Sequence, residues 1–218
     1  MNIDYYIVDA ESSRAVTMAD DPAGFSPYRR DKILKLKLIA SKRLSAAAGI
    51  ATAKGLESFG LRENETEFGS TEQGKPYIIG HPEIVFNVSH SGKYAVAAFM
   101  RVPDYPSSGG YALGVDIEQI SRMNERIASF MKVDTGFEET TEAEKREDTC
   151  RRWTAREAFL KCIGLGISAF RDDFYFEKTP TGRMILHQNI ADGQFEVMEA
   201  EAPAGYCITC VIRKPVIC

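Results

Sequence analysis

The chain has 218 residues, of which 44% are hydrophobic and 27% are charged, the composition of an ordinary globular protein with one or two domains. Its formal net charge of −4 argues against a general nucleic-acid-binding protein. No run of about 18 apolar residues is present, so we expect neither a membrane span nor a membrane partner.

The N-terminal segment, residues 1–8, is predicted to form a first β-strand. It has neither the basic region nor the long apolar region of a signal peptide, so we expect a cytoplasmic protein. The five cysteines are an odd number, which favours reduced thiols over a disulfide framework. Cys207 and Cys210 form a C-x-x-C motif, but they lie in a strand-like run in which residues three apart face opposite sides. We therefore expect no metal or redox role for this pair.

A long helix is predicted over 27–59, from apolar residues that recur at helical spacing. Asp31 is the only acidic residue between Tyr28 and Lys54, a segment with many lysines and arginines. A charged run of this kind is usually a solvated face. It also suits an anionic ligand, or an acidic protein partner that its positive potential would attract.

Short strands and two further helices are predicted for the rest of the chain. The strands are near 67–69, 77–79, 84–88, 94–100, 111–118, 174–177, 183–187, 195–199 and 206–212, and the helices are near 123–131 and around Trp153. A loop over 102–110, rich in Pro, Ser and Gly, separates two groups of elements. Each group consists of a strand, a helix and several strands. This order predicts an α+β fold with two similar halves, 1–105 and 106–218, each a helix packed on a mainly antiparallel sheet.

Small polar residues follow the predicted strand at 84–88. Ser89, His90 and their neighbours are predicted to form a turn whose hydroxyls, imidazole and backbone N–H groups suit a phosphate. Upstream, the motif G-K-P places Lys75 in a turn stiffened by Pro76. An ordinary hairpin would explain the same residues. A serine hydrolase fits poorly, because Ser89 lacks the G-x-S-x-G elbow.

Carboxylates occur on two later elements. In the strand motif G-V-D-I-E, alternation makes Asp116 and Glu118 project the same way. In the helix motif W-T-A-R-E-A-F-L-K, the residues Trp153, Glu157 and Lys161 share one face. Each motif alone is compatible with a solvated surface. If the two elements face each other, three carboxylates converge beside a lysine, a donor set that suits Mg²⁺ and a substrate phosphate.

These motifs, in the order G-K-P, F-N-V-S-H-S-G, G-V-D-I-E and W-T-A-R-E-A-F-L-K, resemble those of the 4′-phosphopantetheinyl transferases. The size resembles the larger, surfactin-synthetase-activator type, in which one chain holds two similar halves with the active site in the cleft between them. The resemblance runs from about Tyr28 to the final strand. It implies transfer of the phosphopantetheine arm of coenzyme A to a serine of an acyl or peptidyl carrier protein, with release of adenosine 3′,5′-bisphosphate. The carrier proteins of fatty acid, polyketide and non-ribosomal peptide synthesis all remain open.

The resemblance also implies a cofactor and an oligomeric state. The cofactor is Mg²⁺, with Mn²⁺ as an alternative ion, and coenzyme A is the co-substrate. Two halves in one chain make a monomer sufficient, so we expect a monomer.

Residue roles follow from the resemblance in the same way. Asp116, Glu118 and Glu157 are implied as metal ligands, and Glu157 also as the base that deprotonates the serine, directly or through a water. Lys161 is implied to contact the pyrophosphate. Together with Lys161, the residues implied to bind coenzyme A are Lys42, Arg43, Lys75, Ser89 and His90, with Lys42 or Arg43 at the 3′-phosphate.

Two positions depart from the family pattern. Arg156 stands where the family usually has a lysine before the motif glutamate, which keeps the charge but presents a planar fork. A further glutamate usually follows an aromatic pair, and here Asp134, Glu138 or Glu139 are the only candidates to replace it. Two other functions remain open: a metal-dependent hydrolase of coenzyme A or nucleotides, and a non-catalytic coenzyme A-binding module.

Overall fold

The first half of the chain forms a three-stranded antiparallel sheet covered by helices. The computed structural model describes residues 2–102, 110–131, 141–165 and 173–216. The elements of this half are β1 (Ile3–Asp9), α1 (Ser13–Asp20), α2 (Pro27–Lys35), α3 (Ile39–Glu57), β2 (Phe68–Ser70), β3 (Pro76–Ile78), β4 (Ile84–Ser91) and β5 (Tyr94–Arg101). The sheet order is β1-β5-β4, and β2 and β3 form a separate antiparallel pair.

Helix α3 packs closely on this sheet because its contact face carries small residues. Ala46, Ala47 and Ala51 are fully buried there. A Cβ atom added at Gly55 would lie 2.0 Å from the ring of Phe99, a buried residue of β5. The helix backbone therefore lies directly against the aromatic core of the first half.

The single helix predicted over 27–59 is wrong, because the chain breaks between α2 and α3. Leu36 and Leu38 have extended backbone conformations, with φ near −81° and −84°. One straight helix over the predicted range would be about 50 Å long, whereas an eight-residue strand spans only about 27 Å. Breaking the helix lets α2 and α3 each bury a face against the same small core. Helix α1 was not predicted at all.

The second half repeats the general arrangement of a helix on a three-stranded sheet. Its elements are β6 (Ala112–Gln119), α4 (Glu125–Phe130), α5 (Glu142–Ile163), β7 (Phe174–Lys178), β8 (Met184–Gln188), β9 (Gln194–Ala200) and β10 (Tyr206–Lys214). The sheet order is β6-β10-β9, and β7 pairs with β8. In each half the first strand pairs with the last strand, which pairs in turn with the strand before it. The predicted α+β class is confirmed.

Helix α5 has defined signals at both ends. Thr141 and Glu144 form a reciprocal capping box at its start, which satisfies N–H groups that lack helical partners. Gly164 ends the helix in the left-handed conformation, with φ of 75°, that glycine adopts without steric cost. A Cβ atom added at Gly114 of β6 would lie 1.9 Å from the carbonyl oxygen of Ala158 in α5. The glycine of the G-V-D-I-E motif thus lets the helix lie directly on the strand.

The two sheets are joined by a shared apolar cluster. Its buried members come from β5, β6 and β10, and they are Val96, Ala98, Met100, Leu113, Val115, Ile117, Ile208, Cys210 and Ile212. Cys207 lies in a different cluster, with Cys150 and Met123, so the two cysteines of the C-x-x-C motif face opposite sides of β10. This packing brings the edge strand β4 of the first half beside β6 of the second half.

The other predicted elements are present near their predicted bounds. The turn predicted from Ser89 onward is wrong, because β4 continues through Ser91 and the chain turns at Gly92, which has a φ of 57°. Most of the loop predicted over 102–110 lies outside the described residues. In the part of the chain that the structure describes, no helix is both long and apolar enough to cross a membrane.

Replacing Gly114 by Ala tests the contact between β6 and α5. The new methyl group would meet the backbone of α5, which cannot rotate away, so we expect the free energy of unfolding to fall by about 3 kcal/mol. Gly60→Ala is the matched control, because that position has a positive φ but open space around it, and should cost only about 1 kcal/mol. Urea denaturation measures both variants. Equal stability of Gly114→Ala and the unchanged protein would contradict the close packing.

Candidate active site

Strand β4 presents a row of polar side chains to β6 across the boundary between the halves. Asn87 and Ser89 are both buried, and alternation along the strand places them on the same face. Asn87 Oδ1 accepts a hydrogen bond from the Val115 backbone N–H at 2.9 Å. Ser89 Oγ donates to Asp116 Oδ1 at 2.7 Å. The polar residues of one half therefore bind directly to the motif strand of the other.

Asp116 is at the centre of this contact. Its side chain is almost fully buried, and Lys161 Nζ lies 2.6 Å from its Oδ1 and 2.7 Å from Ser89 Oγ. Burial raises the pKa of Asp116, and the ammonium of Lys161 opposes that rise. A buried carboxylate is retained only when it is paired and hydrogen-bonded, and both conditions are met here. The predicted proximity of Asp116 and Lys161 is observed.

Glu118 lies two residues further along the same face of β6. Its carboxylate accepts a hydrogen bond from the Ser91 hydroxyl, and Arg122 Nη1 lies 3.3 Å from Glu118 Oε1. Ser91 is the third residue of β4, after Asn87 and Ser89, to bond to β6.

Glu157 faces the two acids from α5. It is 5% exposed, and burial followed by the Asp116 carboxylate raises its pKa to about 7, with a smaller contribution from Glu118. Lys161 and Arg156 act in the opposite direction. No hydrogen bond to the Glu157 carboxylate is found among the described residues. The strand and the helix therefore do face each other, and the three acids act on one another electrostatically.

A cavity of about 630 Å³, which we call the seam cavity, opens between the two halves. Among the residues that line it are Arg29, Lys32, Leu36, Ser45, Lys75, His90, Glu157 and Lys161. Its wall is thus strongly basic, with one buried acid. Such a wall suits a ligand with several phosphate groups, because guanidinium, ammonium and imidazole groups all donate to phosphate oxygens.

Arg29 is the basic residue most deeply set in this wall. Arg29 is 8% exposed, and its buried Nε atom has no hydrogen-bond partner among the described residues. Burial lowers the pKa of Arg29, and the buried carboxylate of Glu63 opposes that change. Glu63 is held by both the backbone N–H and the hydroxyl of Ser26, at 2.8 and 2.6 Å. A buried guanidinium with an unsatisfied donor beside a cavity is suited to an anionic ligand.

His90 lines the seam cavity from the end of β4. Its ring is reached by solvent through the cavity, yet burial by the walls, and then the charge of Lys161, lower its pKa. Ser89, predicted to share a phosphate with His90, is instead directed at Asp116 and Lys161. Its side chain supports the acid cluster, and a role in phosphate binding stays a prediction.

Lys75 lines the cavity, but its ammonium is directed at backbone carbonyls of the second half. Nζ donates to the carbonyl oxygens of Leu113 and Lys161, both at 2.9 Å, and of Cys162 at 3.2 Å. Burial lowers the pKa of this lysine. Contact of Lys75 with the nucleotide stays a prediction.

Lys42 and Arg43 are not brought to the seam cavity. Neither is among the residues that line it, and Arg43 Nη1 forms an ion pair with Glu11 at 2.8 Å. Arg29 and Lys32, from the same basic run, do line the cavity, and contact of Lys42 or Arg43 with the 3′-phosphate stays a prediction. The basic run did point to this region, but its spacing could not show which members face inward.

Arg156 and Trp153 take part in aromatic packing around α5. The Arg156 guanidinium lies 4.4 Å from the ring centroid of Phe174 and 5.3 Å from that of Phe130. Trp153 makes an edge contact with Phe130. The planar group of an arginine stacks on rings in a way that a lysine cannot reproduce. Asp134, Glu138 and Glu139 lie outside the described residues.

Asp116, Glu118 and Glu157 are the candidate metal ligands. Among the described residues, no group of three His, Cys, Asp or Glu side chains stands close enough together to hold a metal ion. Lys161 supplies the positive charge next to Asp116 in this arrangement. The donor chemistry nevertheless fits Mg²⁺, because all three groups are carboxylates, and burial followed by repulsion from Asp116 raises the pKa of Glu157, a repulsion that a divalent cation would relieve.

Removing the Ser89 hydroxyl tests how strongly the halves are coupled at this point. Ser89→Ala leaves Asp116 buried with Lys161 alone, so we expect the free energy of unfolding to fall by about 2 kcal/mol. Ser70→Ala, at an exposed position in β2, is the control and should change stability very little. Chemical denaturation measures both. A Ser89→Ala protein as stable as the control would show that this hydrogen bond does not hold Asp116.

Comparison with known proteins places the chain beside one family of transferases. The model of the 4′-phosphopantetheinyl transferase superfamily matches residues 112–211, the stretch that includes Asp116, Glu118, Glu157 and Lys161. The 4′-phosphopantetheinyl transferase Sfp of Bacillus subtilis strain 168 is 26% identical over 158 residues, 71% of this chain and 66% of that protein. A second 4′-phosphopantetheinyl transferase of Bacillus subtilis is 30% identical over 157 residues, 70% of this chain and 66% of that protein.

Solved structures that match part of the chain include a holo-(acyl-carrier-protein) synthase from Bacillus anthracis in complex with CoA (3′,5′-ADP). It has a TM-score of 0.40 and 19% identity, and the match covers 48% of this chain and 96% of that one. The holo-[acyl-carrier-protein] synthase of Thermotoga maritima has a TM-score of 0.36, also at 19% identity, over 48% of this chain and 63% of that one.

The fold and the site define an α+β protein with a basic cavity and an acid cluster at the boundary of its two halves. The chain belongs to the 4′-phosphopantetheinyl transferase superfamily, and the predicted resemblance to its surfactin-synthetase-activator type is confirmed. The matches span about two thirds of the length of the first curated relatives, 66% in both cases above.

Proposed function

We propose that the chain transfers the 4′-phosphopantetheine group from coenzyme A to a serine of an apo acyl or peptidyl carrier protein, converting it to the holo form. One observation carries the proposal. The seam cavity places a basic wall that suits the phosphates of coenzyme A next to Glu157 and Lys161, on the helix that faces Asp116. Membership of the superfamily supports it, because the curated relatives are named for this transfer.

The reaction requires one bond to form and one to break. The serine oxygen forms a bond to the β-phosphorus of coenzyme A, and the bond from that phosphorus to the bridging oxygen breaks. Adenosine 3′,5′-bisphosphate leaves with the electron pair. Phosphoryl transfer asks a protein mainly for positioning and charge stabilisation, which Lys161 would provide at the pyrophosphate.

The serine proton is proposed to pass to Glu157, directly or through a water. A general base works best when its pKa lies near the operating pH. Without a bound metal ion, burial and the neighbouring Asp116 raise the pKa of Glu157 to about 7, so this carboxylate both ionises and accepts a proton near neutrality. The carboxylate also borders the cavity, where an acceptor serine would have to enter.

We further propose that the cofactor is Mg²⁺, held by Asp116, Glu118 and Glu157, with Mn²⁺ as an alternative ion. The support is the oxygen-only donor set and the mutual repulsion of the acids. When bound, such an ion supplies charge neutralisation for pyrophosphate oxygens. Lys161 would then share Asp116 with the ion.

The nucleotide end of coenzyme A is proposed to bind at Arg29 and Lys32. Arg29 has a buried, unsatisfied donor, and Lys32 lines the same cavity. His90 lines the same cavity and is proposed to contact a phosphate.

The domain organisation, the oligomeric state and the cellular location are also proposals. We propose that the halves, 1–105 and 106–218, are two copies of one structural unit, supported by their common sheet order and by the hairpin that each contains between its long helix and its last two strands. A monomer is proposed because one chain supplies both the basic wall and the acids. A cytoplasmic location is proposed from the scattered thiols, of which the four described ones are free.

The proposal is tested by the intact mass of apo carrier proteins incubated with this protein, coenzyme A and Mg²⁺. A gain of one phosphopantetheine group, lost when EDTA removes the metal, is the expected result. Carriers of fatty acid, polyketide and peptide synthesis should be tried in parallel. Cleavage of coenzyme A without carrier modification would establish a hydrolase instead. Binding of coenzyme A without either reaction would establish a binding module.

Glu157→Gln and Asp116→Asn test the acid cluster directly. Each keeps the size of the side chain but removes a negative charge, so we expect the transfer rate to fall by at least about 100-fold. Glu196→Gln, which alters an exposed ion pair on β9, is the control and should transfer normally. Full Mg²⁺-dependent activity in either acid variant would refute the assigned site.

Arg29→Met and Arg43→Met separate the two candidate phosphate contacts. Arg29 is buried in the cavity wall, whereas Arg43 pairs with Glu11 at the surface. We expect the Arg29 change to weaken coenzyme A binding by about 10- to 100-fold, the scale of a lost charged hydrogen bond. The Arg43 change should leave it within about twofold. Isothermal titration calorimetry measures both, and the opposite ranking would return the assignment to Arg43.

A further inference from the structure

Lys75 makes a contact that its motif does not predict. It belongs to the first half, yet its ammonium donates to three backbone carbonyls of the second half, those of Leu113 in β6 and of Lys161 and Cys162 in α5. An ammonium has three N–H donors, so the three carbonyl oxygens match its donor capacity. The group is thus fully engaged within the protein.

The carbonyls that Lys75 binds are at a helix end. Helix α5 finishes at Ile163, so the carbonyls of Lys161 and Cys162 belong to its last turn, where partners within the helix are missing, and the Gly164 N–H that follows reaches the Lys161 carbonyl only at 3.4 Å. The aligned peptide dipoles give this end a partial negative charge, which a cation stabilises. Lys75 therefore caps α5 from another part of the fold and also ties it to β6.

The loop that carries Lys75 is itself well defined. The Lys75 carbonyl accepts from the Thr71 backbone N–H, and its N–H donates to the Thr71 hydroxyl. Gly74 supplies a positive φ of 80° in this loop, and Pro76 restricts the backbone of Lys75, the residue before it. A fixed loop can hold the end of a helix in place, whereas a mobile loop could not.

We propose that Lys75 is a positioning residue, which fixes the end of α5 against β6 and thereby holds Lys161 and Glu157 in register with Asp116. Its effect passes through Lys161, whose carbonyl it binds and whose ammonium bonds to Asp116 and Ser89. This inference rests on the proposed transferase function only for its predicted effect on the transfer rate. The contact of Lys75 with the end of α5 does not depend on that function. It differs from a nucleotide contact, which would use the Lys75 ammonium to bind coenzyme A.

Lys75→Met distinguishes the two roles, because methionine keeps the length of the side chain but has no charge. A positioning role predicts that kcat falls by about 10- to 100-fold, the scale of a misplacement of catalytic groups, while the Kd for coenzyme A changes by less than about twofold. Lys32→Met is the matched control. It removes another cavity lysine and should raise the Kd for coenzyme A while kcat is largely kept. A Lys75→Met protein with a raised Kd and an unchanged kcat would overturn the proposal.

Hydrogen exchange provides a readout that does not depend on activity. The Gly164 and Leu165 backbone N–H groups close the end of α5, and their exchange should accelerate at least about tenfold in Lys75→Met as the cap is lost. Lys75→Arg keeps a charge but has a planar donor group, so it should restore this protection only in part. If Lys75→Met fails to fold, Lys75→Arg carries the same two measurements. Unchanged exchange in both variants would refute the cap, whereas absence of carrier modification by the unchanged protein would refute only the proposed function.

Discussion

The hydrogen bonds between β4 and β6 are the contact on which the rest of the site depends. A carboxylate as deeply buried as Asp116 is costly unless other groups compensate its charge, and here the compensation comes from two directions. Ser89 approaches from the first half and Lys161 from α5 of the second half. Lys161 belongs to the same half as Asp116, and the Ser89 hydroxyl of the other half adds the second hydrogen bond to that carboxylate.

Apolar packing determines where these polar groups meet. The cluster shared by β5, β6 and β10 joins the two sheets, and the missing side chain at Gly114 lets α5 rest on β6. Once the helix is placed, its period brings Glu157 and Lys161 over the strand that carries Asp116. The seam cavity is the space left beside this junction, with Arg29 in its wall. Hydrophobic burial thus provides the docking energy, and the polar groups determine the register.

Periodicity in the sequence predicted the local parts of this arrangement. Alternation along a strand was sufficient to place Asp116 and Glu118 on one face. Helical spacing was sufficient to place Glu157 beside Lys161. Both placements depend only on residues close in sequence. The break between α2 and α3 could not be predicted from local sequence, because no glycine or proline lies there. The break follows from the size of the core on which both helices pack. The partners that Lys75, Ser89 and Arg43 have in the structure are set by tertiary contacts, which periodicity in the sequence does not show.

The central claim is that the basic wall and the acid cluster are one site for one ligand. A crystal structure of this protein with coenzyme A and Mg²⁺ tests it most directly. The account predicts coenzyme A in the seam cavity, with nucleotide phosphates on Arg29 and Lys32 and its pyrophosphate beside Lys161, Glu157 and the metal. Coenzyme A bound outside this cavity, or with its pyrophosphate away from Glu157 and Lys161, would contradict it.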